Sequence, residues 1–327
     1  MIRLSNDKIA ELAVGCIRIE EDEGILRFYK YTDEQMAGFG PWRKISPCTC
    51  TTGVKLDFYT NSRSFAVSFA EAGKYELHID GQLRRQFIVN VPEAEGNALV
   101  GERIEVELSD TFGKEKDEYR VTLYFPSHSV GLINYIELDD GAYSRRYEYS
   151  RKFLIIGDSL TQGWNSDYDS LSYANRISRV FDAESIIQGR GGSCYVPATM
   201  TKLPNFEPDV VIVAYGTNDY IRIKSYEEYR KNVSEYHDRL RECYGDKKVF
   251  IISPIWRVLP SPNSCLDFTE CRAIIADEAE KHSFIHIDGA MLVPPIEEGF
   301  YTDGLHLSDL GFSLYSENLV SELLKYI

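Results

Sequence analysis

The chain has 327 residues, of which 43% are hydrophobic and 27% charged, and its formal net charge is −15 at pH 7. This length is more than one small core needs, so we expect two domains. The negative charge argues against a nucleic-acid partner, because binding to the phosphate backbone requires an excess of Lys and Arg. No run of about 20 apolar residues occurs, so we predict no membrane span and no membrane partner.

The seven cysteines are scattered along the chain and include no C-x-x-C pair. Neither a zinc ribbon nor a disulfide framework is therefore predicted. The first residues lack the apolar core of a signal peptide, and we expect a reduced, cytoplasmic setting. His282, His286 and Asp288 lie close together in a segment typical of a buried strand. We predict no metal site and no cofactor.

The region from residue 1 to 145 is dominated by short extended segments separated by turn-forming residues. Within them apolar and polar residues alternate, which is the period of a strand with one buried face. The clearest segments are 25–31, 54–59, 64–69, 75–79 and 119–125. Turns at this spacing, without a helical segment of comparable strength, predict an antiparallel, jelly-roll-like β-sandwich.

From residue 146 to 327 the pattern changes to strands that alternate with helices. The predicted strands are 153–156, 185–187, 210–214, 249–252 and 285–287. Amphipathic helices are predicted over 170–181, 268–281 and 311–327, and a capping box at Ser225 opens another. This alternation predicts a parallel sheet with helices on both faces, whose functional site lies beyond the carboxyl ends of the strands.

Four short motifs in this second region place reactive side chains after strands or in a late loop. Each motif alone is compatible with an ordinary turn, a helix cap or a surface loop. They are Gly157-Asp158-Ser159-Leu160, the glycine-rich turn Gly189–Gly192, Gly216-Thr217-Asn218-Asp219, and Asp303 followed three residues later by His306.

Together the four motifs contain the groups that acyl transfer needs. Ser159 is the candidate nucleophile, His306 its base and Asp303 the carboxylate that orients the base. The backbone N–H groups of Ser159 and Gly192 and the side-chain amide of Asn218 are candidate donors to an oxyanion. The G-x-S-x-G elbow of α/β-hydrolases is absent, since Leu-Thr follows the serine.

These blocks resemble those of the SGNH, or GDSL-type, hydrolases over roughly residues 150–327. The resemblance implies a flavodoxin-like three-layer domain and assigns the same roles to Ser159, Asp303, His306, Gly192 and Asn218. Members of that family often carry Asn at the end of the second strand, where this chain has Ile-Gln. The donor in the glycine-rich turn is therefore open between residue 192 and its neighbours 191 and 193. A sandwich that precedes such a domain is similar to two-domain carbohydrate esterases and to some acyltransferase-like relatives.

Five aromatic residues flank the four motifs and are candidate substrate-binding residues, because aromatic faces stack on sugar rings. The same side chains are also compatible with packing in the interior. They are Trp164, Tyr195, Tyr220, Trp256 and Tyr301. Arg190 is a candidate for binding an anionic leaving group or for pairing with a surface carboxylate. No long apolar segment suggests a lid over a fatty-acid tunnel, so a small acyl group such as acetyl is expected.

The leading hypothesis is a serine esterase that deacylates a carbohydrate or another small-molecule ester. One alternative is an acyltransferase that uses the same triad with an alcohol as acceptor. A second alternative is a sugar-binding or scaffolding protein in which the sandwich is the working part. Product analysis distinguishes the first two, and ligand binding by the sandwich tests the third. The sequence does not specify the oligomeric state.

Overall fold

A computed structural model describes residues 1–40, 48–90, 96–109, 112–259 and 264–327. It contains two compact units built from discontinuous segments. The first unit comprises residues 1–30, 49–149 and 168–170, and the second comprises residues 31–48, 150–167 and 171–327. The sequence pattern predicts two continuous domains, 1–145 and 146–327. It does not show that residues 31–48 belong to the second unit or that residues 168–170 belong to the first.

The elements as far as Tyr149 are mostly short strands. In chain order they are β1 (Ile2–Arg3), α1 (Asn6–Leu12), β2 (Ala13–Val14), β3 (Arg18–Asp22), β4 (Ile25–Tyr29), α2 (Asp33–Gly38), β5 (Lys55–Thr60), β6 (Ser64–Phe69), β7 (Gly73–Ile79), β8 (Gln82–Val89), β9 (Ile104–Glu107), β10 (Tyr119–Tyr124), β11 (Ile133–Leu138) and β12 (Ser144–Arg146).

In the first unit β3 and β4 form a two-stranded antiparallel sheet, and the other strands form two antiparallel sheets that share one apolar core. Their strand orders are β1-β11-β6-β9 and β12-β5-β10-β7-β8, with β2 paired to β5. Phe65 and Val67 of one sheet lie in the same buried cluster as Phe58 and Val121 of the other. The predicted β-sandwich is confirmed. Helix α2 was not predicted, because six residues are too few to show a helical period.

The second half of the chain alternates strands and helices. Its elements are β13 (Arg151–Gly157), α3 (Ser159–Gln162), α4 (Tyr173–Val180), β14 (Ala183–Gly189), β15 (Val210–Ala214), α5 (Thr217–Arg222), α6 (Tyr226–Tyr244), β16 (Lys248–Ile252), α7 (Phe268–Lys281), β17 (Ile285–Ile287), α8 (Glu297–Phe300) and α9 (Asp309–Leu323). No helix among the described residues is both long enough and apolar enough to cross a lipid bilayer.

The second unit is built on a five-stranded parallel sheet with the order β14-β13-β15-β16-β17. Numbered from the first strand, this order is 2-1-3-4-5, the flavodoxin-like arrangement. The predicted fold class is therefore confirmed. Strands β15 and β17 and helix α7 have the predicted bounds. Helix α9 begins two residues earlier than predicted because Ser308 caps it, its hydroxyl accepting the N–H of Gly311.

Side chains that alternate along β13 pack on opposite faces of the sheet. Phe153 and Ile155 lie in one buried cluster with Ile177 of α4 and Phe312 of α9. The intervening side chains point to the other face, where α6 and α7 pack together. Because the strands are parallel, the loops that follow β13, β14 and β15 meet at one edge of the sheet.

Candidate active site

The first candidate group stands where β13 ends and α3 begins. Gly157 is required there, because a Cβ at this position would lie 2.0 Å from the hydroxyl oxygen of Thr161. Asp158 caps the short helix, since its Oδ1 accepts the N–H of Leu160 at 3.0 Å. Ser159 is the first helical residue, so its N–H has no intrahelical acceptor, and none lies within the described residues. The turn thus presents a hydroxyl and a backbone donor together.

The three predicted triad side chains lie in a hydrogen-bonded row. The Oγ of Ser159 is 2.9 Å from Nε2 of His306, and Nδ1 of His306 is 2.8 Å from Oδ2 of Asp303. The Oδ1 of Asp303 also accepts the backbone N–H of Leu305 and of His306. With Nδ1–H donated to the carboxylate, Nε2 is left to accept the serine proton.

The carboxyl group of Asp303 is held in its charged form. Partial burial raises its pKa, but hydrogen bonds from the backbone and the ring of His306 outweigh that effect and leave the pKa below its usual value. A carboxylate that stays ionised can stabilise an imidazolium when His306 takes up a proton.

The loop that carries Asp303 and His306 is fixed by its own hydrogen bonds. The N–H of Thr302 donates to the carbonyl of His306 at 2.9 Å, and Tyr301 forms a β-bridge with Leu307. The amide of Asn165, six residues after the serine, donates to the Thr302 hydroxyl at 2.6 Å. These bonds tie the base to the segment that contains the nucleophile.

Three backbone N–H groups of the glycine-rich turn, those of residues 191, 192 and 193, are candidate oxyanion donors. Only one of them has no acceptor within the described residues. The N–H of Gly191 donates to the side chain of Gln162 at 2.6 Å, and the N–H of Ser193 donates to the carbonyl of Arg190 at 3.1 Å. Gly192 adopts a φ of +74°, and its N–H has no acceptor within the described residues. The geometry therefore favours Gly192 over its neighbours as the oxyanion donor. The guanidinium of Arg222 donates to the Gly192 carbonyl and so fixes the peptide group that follows this N–H.

The side chain of Asn218 already makes two hydrogen bonds within the unit. Its amide donates to the Ser193 carbonyl at 3.1 Å and to Oδ2 of Asp158 at 3.3 Å. Because the NH2 group has two N–H donors and both are in use, one of these bonds must shift for the amide to bind an oxyanion. The next residue, Asp219, accepts the N–H of Tyr195 at 2.9 Å and fixes the far end of the glycine-rich turn.

Two buried carboxyl groups lie beneath the candidate site. Burial raises the pKa of Asp158 to about 7; the hydrogen bond from Leu160 opposes this shift, and the negative charge of Asp219 adds to it. Burial also raises the pKa of Asp219 to about 7, against hydrogen bonds from backbone N–H groups such as that of Tyr195. Both groups are thus divided between charged and neutral forms near neutral pH.

Of the five predicted aromatic residues, Trp164 lies beside the triad, and Trp256 packs on Tyr301 near the loop that carries Asp303 and His306. Trp164 is 41% exposed, and its ring centroid lies 6.1 Å from that of His306. Trp256 is half-buried and packs on Tyr301, two residues before Asp303, with ring centroids 4.9 Å apart. Trp164 therefore offers aromatic surface next to the base, and Trp256 offers a half-buried ring near the loop that carries the base.

The other two aromatic residues are core residues, and the structure corrects their placement. Tyr195 is 1% exposed and packs against Tyr215 and Tyr236, and Tyr220 is 2% exposed and packs against Phe268. A side chain this buried cannot contact a substrate. Both follow a site motif closely in the chain, but their side chains turn inward onto neighbouring helices.

Arg190 does not lie at the surface, which a pairing with a surface carboxylate would require. It is buried, with its guanidinium over the ring of Phe39 at 4.4 Å and a hydrogen bond to the Ser193 hydroxyl at 3.2 Å. Gln188, which stands where the related family often has Asn, exchanges hydrogen bonds with Gln35 of α2 at 3.0 and 3.2 Å. Both residues support the glycine-rich turn.

Sequence reasoning missed Gln162, whose side chain accepts the N–H of Gly191, and Arg257, which donates to Thr217 beside Asn218. Gln162 lies one helical turn after the nucleophile, a spacing that does place it on the same side of α3. No sequence signal distinguishes Arg257 from a surface arginine. Within the described residues, no group of three or more His, Cys, Asp or Glu side chains is arranged to hold a metal ion.

Comparison with protein families identifies the second unit. Residues 155–314 match the GDSL-like lipase/acylhydrolase family. The chain carries a GDSL-like hydrolase domain. This match indicates an ester-hydrolysing serine hydrolase. No curated protein sequence gives a significant match.

Solved structures share the fold of this GDSL-like protein over almost its full length. The salicylyl-acyltransferase SsfX3 from a tetracycline biosynthetic pathway has a TM-score of 0.81 at 17% identity, covering 99% of this chain and 97% of its own. A family two carbohydrate esterase from Clostridium thermocellum, in complex with cellohexaose, has a TM-score of 0.63 at 18% identity, covering 92% and 98%. An acetyl xylan esterase from Butyrivibrio proteoclasticus has a TM-score of 0.63 at 15% identity, covering 97% and 95%. At these identities the likeness establishes the shared two-domain fold.

Proposed function

We propose that this GDSL-like protein is a cofactor-free esterase that removes a small acyl group, acetyl above all, from a carbohydrate or a similar hydroxylated molecule. The observation that carries the proposal is the hydrogen-bonded row from Ser159 through His306 to Asp303. A hydroxyl, an imidazole and a carboxylate in this order constitute a nucleophile, its base and an orienting group.

In the first half of the reaction Ser159 attacks the ester carbonyl while Nε2 of His306 accepts its proton. Asp303 keeps its negative charge and stabilises the imidazolium that forms. Negative charge on the carbonyl oxygen is bound by the N–H groups of Ser159 and Gly192 and by the amide of Asn218. The imidazolium then donates its proton to the departing alcohol, which leaves an acyl group on the serine.

In the second half water takes the place of the alcohol. His306 removes a proton from the water as it attacks the acyl-serine, and the same donors bind the second oxyanion. Collapse of this intermediate releases the carboxylic acid and returns the proton to Ser159. Each proton transfer uses Nε2, the nitrogen that lies 2.9 Å from the serine oxygen.

A carbohydrate substrate is supported by the aromatic surface beside the base. The exposed face of Trp164 and the half-buried ring of Trp256 suit the C–H faces of sugar rings. Two proteins of the same fold are named a family two carbohydrate esterase and an acetyl xylan esterase. These names belong to those proteins and favour acylated sugars as the first substrates to test.

The proposal is tested with a panel of 4-nitrophenyl esters of increasing acyl length and a set of acetylated oligosaccharides, with Ser159→Ala in parallel. We expect the acetyl esters to have the highest kcat/KM and the variant to lose several orders of magnitude in rate. Equal turnover by the variant, or a preference for long acyl chains, would overturn the corresponding part of the proposal.

Acyl transfer to an alcohol is the second candidate, because a structure of the same fold with a TM-score of 0.81 is named an acyltransferase. An acceptor alcohol would attack the acyl-serine in place of water, with the same proton transfers. Mass spectrometry of products formed in the presence of competing sugar alcohols distinguishes the two reactions. Free acid as the sole product supports hydrolysis, whereas a newly acylated alcohol supports transfer.

A further inference from the structure

Arg257 is a buried cation with few partners. It follows β16 in the loop after the strand and is 8% exposed. Its Nη1 donates to the carbonyl and to the hydroxyl of Thr217, both at 3.1 Å. Its Nε is buried without a hydrogen-bond partner, and no carboxylate within the described residues forms an ion pair with it. Within the described residues Nη1 alone has a hydrogen-bond partner, and the guanidinium also lies over the ring of Tyr220 at 5.5 Å.

Arg257 lies between two loops of the candidate active site. Its partner Thr217 immediately precedes Asn218, the candidate oxyanion donor. The N–H of the next residue, Val258, donates to the carbonyl of Gly304 at 2.8 Å, and Gly304 follows Asp303. Arg257 is thus bonded to the loop that carries Asn218, and Val258 is bonded to the loop that carries Asp303.

The nearby acids are already occupied. Burial lowers the pKa of Arg257, while Tyr220, Asp158 and Asp303 act across space in the opposite direction. Neither acid hydrogen-bonds to it: the oxygens of Asp303 bind the His306 loop, and those of Asp158 bind Leu160 and Asn218. A guanidinium does not deprotonate in a protein, so its charge remains without a direct counter-charge.

The unused donors of Arg257 have the geometry that a carboxylate requires. With Nη1 committed to Thr217, the edge formed by Nε and Nη2 remains, and this edge donates two parallel hydrogen bonds to a carboxylate. We propose that Arg257 binds a carboxylate of the substrate close to the scissile ester. The substrate class is therefore esters that carry a carboxylate, in the acyl group or in the alcohol portion. This inference rests on the proposed esterase function.

The test compares kcat/KM within two pairs of esters matched in shape. In 4-acetoxybenzoate and its methyl ester the charge is in the alcohol portion, and in mono-(4-nitrophenyl) glutarate and its methyl ester it is in the acyl portion. The proteins are the wild type, Arg257→Gln, Arg257→Lys and the surface control Arg239→Gln, which changes the net charge equally. Thermal unfolding of each variant reports whether it is folded.

We expect the wild type and Arg239→Gln to favour the charged member of one pair by about 10-fold or more, as a charge-assisted hydrogen bond would produce. Arg257→Gln should lower that ratio to about 1, and Arg257→Lys should retain part of it, since Lys keeps the charge but not the fork. If Arg257→Gln does not fold, the inference is tested by the ratio of kcat/KM for the charged and neutral esters that Arg257→Lys gives.

Two results would overturn the inference. A wild-type ratio near 1 in both pairs would mean that no carboxylate is recognised. A ratio unchanged by both substitutions at Arg257 would assign it only the structural role of holding Thr217. In either case Ser159-dependent hydrolysis of the neutral esters would leave the esterase function standing, whereas failure to hydrolyse any ester would refute both.

Discussion

Ser159 and His306 are 147 positions apart in the sequence, and their Oγ and Nε2 atoms are 2.9 Å apart in the fold. The contact arises because the serine follows β13, an internal strand of the parallel sheet, while the histidine lies on the loop before the last helix. Hydrogen bonds of Asn165 and Asp303 fix the two sides of this contact. It is the relationship from which the chemistry of the site follows.

Replacing the orienting carboxylate should slow the reaction without preventing folding. In Asp303→Asn the side chain no longer carries the charge that stabilises the imidazolium, and its amide can face the ring with the wrong hydrogen-bonding group. We expect kcat on 4-nitrophenyl acetate to fall by roughly 10²–10⁴. The exposed Asp246→Asn, which removes the same charge elsewhere, is the control. Equal rates in the two variants would contradict the assignment.

Asn218→Ala, which removes the side-chain amide, should reduce kcat more than it changes KM. The amide binds charge that develops only in the transition state, and loss of one such donor costs about 10²–10³ in kcat. Asn318→Ala is a matched control, because this amide is also half-buried and hydrogen-bonded but lies on α9. A rise in KM with kcat unchanged would instead place Asn218 in ground-state binding.

Truncating Trp164 should affect sugar esters selectively. We expect Trp164→Ala to lower kcat/KM on an acetylated oligosaccharide by about 5-fold, as loss of an aromatic contact of about 1 kcal/mol implies. The effect on 4-nitrophenyl acetate should be smaller. Tyr195→Phe is the comparison, since the Tyr195 hydroxyl is buried and has no hydrogen-bond partner among the described residues. That variant should keep its activity. Equal losses on both esters in Trp164→Ala would argue against a sugar-stacking role.

The buried carboxyl of Asp219 should make stability fall as the pH rises. Its pKa is raised to about 7 in the fold, so between about pH 4 and 7 the unfolded state loses this proton while the folded state keeps it. Asp219→Asn removes the difference. We expect the variant to gain stability over the wild type across this window, by on the order of a few kcal/mol. Urea unfolding at pH 4 and pH 8 measures it, and the same difference at both would contradict it.

Local patterns were enough to predict most of the second unit. The continuous apolar run of β15 and the amphipathic period of α7 gave correct bounds, because both elements are defined by their own residues. The spacing of Asp303 and His306 on one loop likewise made their proximity foreseeable. Their meeting with Ser159 followed from the topology of a parallel sheet, which the strand–helix alternation implied.

Features that depend on long-range packing were not predictable in this way. Tyr195 and Tyr220 follow site motifs in sequence, and only the positions of α6 and α7 decide that they are buried. The choice of Gly192 over its neighbours depends on Gln162 accepting the adjacent N–H. Arg257 becomes distinctive only when its burial and its missing partners are seen.

The most direct measurement is intact-protein mass spectrometry of the acyl-enzyme, after rapid acid quenching of a reaction with 4-nitrophenyl acetate. The account predicts that the wild-type protein gains the mass of one acetyl group, that peptide mapping places it on Ser159, and that Ser159→Ala gains none. An acetyl group on another residue, or undiminished turnover by Ser159→Ala with no adduct, would contradict the account.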